Sequence, residues 1–136
     1  MIEAEVEIIN GGELALLRRG YISEGEVRRV KTAASFDGGN FRIAVGEDLR
    51  ELLGLEIVDR RRLLWASGEE IFAAVAEFIE LRFENRRMTT QPFVLPDISN
   101  ALLGSFILTD LDLITDGEKT LLVNPKSPNR VRTYLK

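Results

Sequence analysis

The sequence predicts a mainly β domain, and three patterns carry that expectation. Charged and apolar residues alternate in Glu3-Ala4-Glu5-Val6-Glu7-Ile8, the period of a strand with one buried face. The alternation returns in Phe41-Arg42-Ile43-Ala44-Val45 and in Ile79-Glu80-Leu81-Arg82-Phe83. Turn residues punctuate the chain at Asn10-Gly11-Gly12, Ala66-Ser67-Gly68, Glu84-Asn85 and Asp116-Gly117, so helices are expected to be short.

The 136 residues, 45% hydrophobic and 29% charged, suit one domain (1–136) that buries a core without a metal or disulfide. The chain has no histidine and no cysteine. Ser-His-Asp and Cys-His nucleophilic sites are thereby excluded, as are zinc sites with those ligands. Chemistry here has to run on carboxylates, hydroxyls, lysine or bound water, and no cofactor or metal is expected. A net charge of −4 provides no general attraction to nucleic acid. Arg18-Arg19, Arg28-Arg29, Arg60-Arg61-Arg62 and Arg86-Arg87 each have acids nearby and read as solvated strand or loop faces. No apolar run is long enough to span a bilayer, and Met1-Ile2-Glu3-Ala4-Glu5 lacks the layout of a signal peptide. The expected address is cytoplasmic, without a membrane or nucleic-acid partner.

The elements follow in order. After the first strand, Asn10-Gly11-Gly12 breaks the pattern, and residues 13–19 read as a short helix ended by Gly20. Residues 27–36 form a second extended run leading into Asp37-Gly38-Gly39, and a third strand covers 41–45. Residues 47–53 are the clearest helix. Glu47 and Asp48 complement the dipole in its first turn, Leu49, Leu52 and Leu53 share a face, and Gly54 stands where a left-handed cap is wanted. Residues 56–95 read mostly as strands. Within them 69–83 is ambiguous: Ile71, Val75, Phe78 and Ile79 keep helical spacing, whereas the second half alternates strictly. One helical turn fits 106–110, a hairpin follows around Asp116-Gly117, and prolines interrupt the tail from Asn124 to Lys136.

Asp-Gly between apolar runs is first a hairpin signal. Asp116-Gly117, between Leu113-Ile114 and Leu121-Leu122-Val123, reads that way. Asp37-Gly38-Gly39-Asn40 invites a second reading, because Gly39 suggests a close backbone approach and both flanking strands are strongly apolar. Read together with the later apolar strand Ala101-Leu102-Leu103-Gly104, the loop would set a carboxylate in a buried, backbone-lined cleft.

Over nearly its whole length from Glu3 onward the chain resembles the retropepsin-like aspartic peptidases, in particular the small prokaryotic kind with one catalytic motif per chain. That family's Asp-Thr/Ser-Gly-Ala corresponds here to Asp37-Gly38-Gly39-Asn40, and its helix ending in Leu-Gly-Leu to Leu53-Gly54-Leu55. Its Ala-Asp-Gly turn corresponds to Ala66-Ser67-Gly68, and its Val-Leu-Pro strand to Val94-Leu95-Pro96. Its apolar-Leu-Gly motif matches Leu102-Leu103-Gly104, and its closing segments match Leu111-Asp112-Leu113 and Leu122-Val123-Asn124-Pro125. The strength lies in order and spacing, not in any one motif.

The resemblance implies a closed acid-protease β-barrel with one or two short helices, strands across 69–83, and a homodimer in which each chain supplies one Asp37. Two carboxylates about 3 Å apart share a proton and titrate as a pair. Ala66, Ser67 and Gly68 would then form a flap over a peptide or unfolded protein substrate, with Leu102, Leu103 and Gly104 behind the catalytic loop. The tail from Pro125 to Lys136 would either pair at the dimer interface or extend loosely. Three positions depart from the pattern. Gly38 lacks the hydroxyl that bonds across the dimer, Asn40 puts a polar side chain near the cleft floor, and Ser67 replaces an acid. The residues therefore leave three functions open: an aspartic-type endopeptidase, a dimeric binding module that has lost catalysis, or an unrelated β domain in which Asp37 is a turn residue.

Overall fold

The computed structural model describes residues 3–116, 120–123 and 131–133. The strands are β1 (Glu3–Asn10), β2 (Arg29–Phe36), β3 (Ile43–Gly46), β4 (Ile57–Leu64), β5 (Glu70–Ala76) and β6 (Ile79–Phe83). They continue with β7 (Arg86–Thr90), β8 (Phe93–Leu95), β9 (Ala101–Leu103), β10 (Leu113–Asp116), β11 (Thr120–Val123) and β12 (Val131–Thr133). Among the described residues three short α-helices accompany them, α1 (Gly11–Arg18), α2 (Glu47–Leu53) and α3 (Phe106–Asp110), at the three places the residue pattern suggests and one more than the resemblance implies.

All twelve strands belong to one curled sheet in the order β12-β7-β6-β1-β2-β9-β3-β8-β5-β4, with β11 also on β1 and β10 on β11. The expected closed barrel is instead a half-barrel. Beyond β4 the described residues add only an isolated antiparallel bridge, Asn40 to Leu64.

The core follows from the sequence pattern. In β1 the even positions Val6 and Ile8 are buried while Glu3 and Glu5 face out. These side chains join Ile43, Val45, Leu53, Ile79, Leu81 and Leu103 in the main cluster. Ile9 breaks the alternation because α1 covers the other face, packing Leu14 against Ile9 and Val27. Asn10 starts that helix. Its Oδ1 accepts from the Glu13 N–H (3.0 Å), and its Nδ2 donates to Leu53 O (2.8 Å). A second cluster of Phe41, Ala44, Leu63, Ala73 and Leu95 lies under the β4–β5 hairpin.

Residues 69–83 resolve into β5 and β6, broken at Glu77-Phe78. The break is held from a distance, because the Gly11 N–H donates to Phe78 O (2.9 Å). A side chain at Gly11 would come within 2.8 Å of that oxygen. The arginine clusters need one correction. Arg86 is not on a solvated face: it is 1% exposed, and its Nε donates to Leu111 O (3.0 Å). The β10–β11 pairing forms the expected second hairpin, although Gly117 itself lies outside the described residues. In the tail, Val131–Thr133 pairs in parallel with β7 of the same chain, and the rest of Pro125 to Lys136 lies outside the described residues. Among the described residues no helix is long and apolar enough to cross a membrane.

Candidate active site

Asp37 leaves the sheet at the end of β2, and its turn is not a hairpin. Strand β9 runs between β2 and β3, parallel to the first and antiparallel to the second. Two strands that are not hydrogen-bonded to each other leave the loop between them free to be shaped by a third. The Asp37 N–H donates to Leu103 O (2.9 Å), and the Gly104 N–H donates to Arg42 O (2.8 Å). Gly104 has to lack a side chain, since a Cβ there would lie 2.0 Å from Phe41 O. Leu102, Leu103 and Gly104 thus stand behind the loop.

Ser105 completes this support, and sequence reasoning missed it. Its N–H (2.8 Å) and its Oγ (3.0 Å) both donate to the Gly39 carbonyl. The available signal was a hydroxyl residue directly after Gly104 and directly before a helix.

The Asp37 carboxylate is half-buried and held on one side. Oδ2 accepts from the Gly39 N–H (3.0 Å) and the Ala66 N–H (3.0 Å). Oδ1 accepts no hydrogen bond among the described residues, which leaves it open to water, substrate or a second carboxyl group. Gly39 is obligatory here: a Cβ would stand 2.4 Å from Leu64 O and 3.0 Å from the Ala66 nitrogen. Gly38 is needed for a different reason. Its φ of +83° is left-handed, although a Cβ there would make only ordinary contact with the Phe36 ring (3.5 Å). A Thr or Ser would therefore be strained at this position. The loop is built for glycine.

Ala66, Ser67 and Gly68 come to the same place. They form an exposed tight turn at the tip of the β4–β5 hairpin, where the Gly68 N–H donates to Trp65 O (3.0 Å) and the Trp65 N–H to Glu69 O (2.9 Å). Trp65 packs edge-on against Phe41, ring centroids 5.8 Å apart and planes at 80°. The Asn40 N–H donates to Leu64 O (2.9 Å), which ties the hairpin, next to its tip, to the Asp37 loop. Asn40 itself is exposed and is one of the residues lining the neighbouring cleft.

That cleft, about 160 Å³, opens at the unclosed seam between residues 40–43 and β4. Ile43 and Val75 are buried within its lining, Phe93 and Phe106 are partly exposed in it, and Arg42, Arg61 and Arg62 supply cations. Arg42 Nε is bound to Asp110 Oδ2 (2.7 Å), which fixes α3 against the strand leaving the loop. A larger, shallower hollow of about 550 Å³ lies over β1, β2 and β6 among Glu5, Glu7, Lys31 and Arg82. It contains none of the Asp37 loop. Among the described residues no three acids gather closely enough to hold a metal ion.

Comparison with family models, with curated proteins and with solved structures finds no match to this chain.

Proposed function

We propose that this chain is an aspartic-type endopeptidase that works as a homodimer, each copy contributing one Asp37. One observation carries the reading: a half-buried carboxylate whose Oδ2 is fixed by two backbone N–H groups while Oδ1 has no partner among the described residues. Fixed dipoles on one oxygen orient the other without any reorganisation during reaction. The reading is further supported by the backing of that loop by Leu103, Gly104 and Ser105 and by the hairpin tip beside it.

In the proposed dimer two such carboxyl groups share one proton. The ionised one takes a proton from water as the water oxygen bonds to the scissile carbonyl carbon. The protonated one gives its proton to the carbonyl oxygen, forming a neutral gem-diol. Collapse of that diol breaks the C–N bond, the amide nitrogen receives a proton, and a carboxylic acid and an amine leave. One chain supplies one of the two groups, so the reaction requires two copies.

A second reading rests on Gly38. Its left-handed backbone removes the hydroxyl residue that would steady two catalytic turns across a dimer, which suits a binding module derived from the same architecture. Incubation with an unfolded protein at mildly acid pH separates the two. Cleavage that disappears in Asp37→Asn, together with a dimer in sedimentation equilibrium, is the expected result. A monomer, or a dimer that cleaves nothing, overturns the endopeptidase reading.

A further inference from the structure

We propose that Arg62 is a specificity-determining residue, and that the seam cleft takes an extended peptide carrying an acidic side chain next to an apolar or aromatic one. The inference rests on the reading of Asp37 as the centre of a peptide-processing site and names the substrate class of that site.

Position comes first. Along the β4 side of the seam, Ala66 meets Asp37, Leu64 meets Asn40, and Arg62 lines the cleft. Alternate residues of a strand are about 7 Å apart. Arg62 therefore lies within a few substrate residues of the carboxylate. The edge of β4 beyond Leu64 has no neighbouring strand among the described residues, so a peptide laid in the seam would run beside Arg62.

Charge decides what that peptide carries. Of the three arginines in the 60–62 run, two are committed. Arg60 donates to Phe72 O (3.4 Å) and lies 5.8 Å from the centre of the Phe72 ring. Arg61 is paired with Asp59 (2.8 Å). Arg42, across the cleft, is paired with Asp110. Arg62 has no ion pair among the described residues. Glu70 shares a neighbouring hollow with it but forms no ion pair with it. Among the described residues no carboxylate lines the cleft itself. An uncompensated cation beside an apolar, aromatic-walled slot favours a carboxylate attached to a hydrophobic sequence, and disfavours a second cation.

The test uses fluorescein-labelled octapeptides of Val, Ala and Phe with one central Glu, Gln or Lys, titrated against the Asp37→Asn chain so that nothing is cleaved. The Glu peptide is expected to bind about three- to tenfold more tightly than the Gln peptide, and the Lys peptide most weakly. Arg62→Gln should bring the Glu and Gln peptides to parity, Arg62→Lys should keep part of the preference, and Arg62→Glu should invert it. Equal affinities for the three peptides, no binding at all, or a Glu preference that survives Arg62→Gln would each overturn the inference. A parallel cleavage assay with the wild-type chain keeps the two ideas apart. Cleavage that depends on Asp37 but ignores peptide charge leaves the endopeptidase standing without Arg62. A Glu preference in binding with no cleavage leaves Arg62 standing and removes the endopeptidase.

Discussion

The backbone N–H of Ala66 donates to Oδ2 of Asp37 across 3.0 Å, so the tip of the β4–β5 hairpin is fastened to the carboxylate it overhangs. The same oxygen holds the Gly39 N–H, and the Leu64 carbonyl beside it receives the Asn40 N–H. Hairpin and acid loop are therefore one mechanical unit, joined through one side-chain oxygen and one backbone bridge. Any substrate reaching Asp37 from the hairpin side has to compete with Ala66 for that oxygen.

Replacing Asp37 separates its structural part from its chemical part. Asp37→Asn keeps an acceptor for the two N–H groups and should change stability by less than about 1 kcal/mol. Asp37→Ala leaves both donors without their partner and should cost about 1–3 kcal/mol in urea denaturation, less than two buried charged bonds because the site is half-exposed. Both variants should lose the proposed peptide cleavage. Equal stability of the Asn and Ala variants would show that the carboxylate does not hold the hairpin.

The two loop glycines should respond differently to alanine. At Gly39 the new Cβ meets backbone, Leu64 O at 2.4 Å, and backbone can yield only by moving the hairpin. Gly39→Ala should cost about 2–4 kcal/mol. At Gly38 there is space but a φ of +83°, so Gly38→Ala should cost only about 1 kcal/mol. Gly38→Thr, which would match the retropepsin pattern, adds a β-branch to a left-handed position and should be worse than Gly38→Ala. Thermal midpoints of the three variants give the order, and a Gly38→Thr chain as stable as wild type would contradict it.

How far the sequence revealed this arrangement depends on the range of the interaction that set each part. Helix α2 was legible because its determinants are local: Glu47 and Asp48 in the first turn, and Gly54, whose φ is +67°; of its expected leucine face, Leu49 and Leu53 are buried but Leu52 is 58% exposed. Residues 69–83 were not legible from periodicity, because the break at Glu77-Phe78 is fixed by Gly11, far away in the chain. The candidate site divides in the same way. Asp37, Gly39 and Leu103-Gly104 carried a recognisable pattern, whereas Ser105 acts through a contact that only the insertion of β9 creates. Burial of Arg86 was equally hidden, since a carbonyl at Leu111 satisfies it and the surrounding charges suggested a wet face. Closure of the barrel depends on strands meeting edge to edge, and one bridge at Asn40 is as far as the described residues go.

The Arg42–Asp110 pair should be asymmetric under substitution. The Asp110 side chain is 6% exposed and that of Arg42 22%. Arg42→Ala strands a buried carboxylate and should cost about 2–4 kcal/mol. Asp110→Ala leaves a cation that can turn toward water along the face of Phe106, 5.6 Å away, and should cost about 1–2 kcal/mol. Chemical denaturation of both single variants and of the double variant measures the order. An Asp110→Ala chain less stable than Arg42→Ala would show that the burial argument has the wrong partner.

The acid limb of stability should contain a contribution from Glu13. The Arg28 guanidinium donates to its carboxylate, and that side-chain bond is the largest cause holding Glu13 below its ordinary value of 4.5. Burial opposes the shift, while the Arg28 N–H (2.9 Å) and the charge of Arg28 assist it. With the folded value depressed, the unfolded chain binds more protons than the folded one in the interval between the two values. The stabilisation is thus complete above about 4.5 and is lost as pH falls through the lowered folded value. Arg28 is 52% exposed, so solvent screening keeps the effect small. Urea midpoints measured from neutral pH down to ~pH 3 should fall less steeply for Glu13→Gln than for wild type, and added salt should narrow the difference. Parallel curves for the two chains would mean that the pair contributes nothing to acid sensitivity.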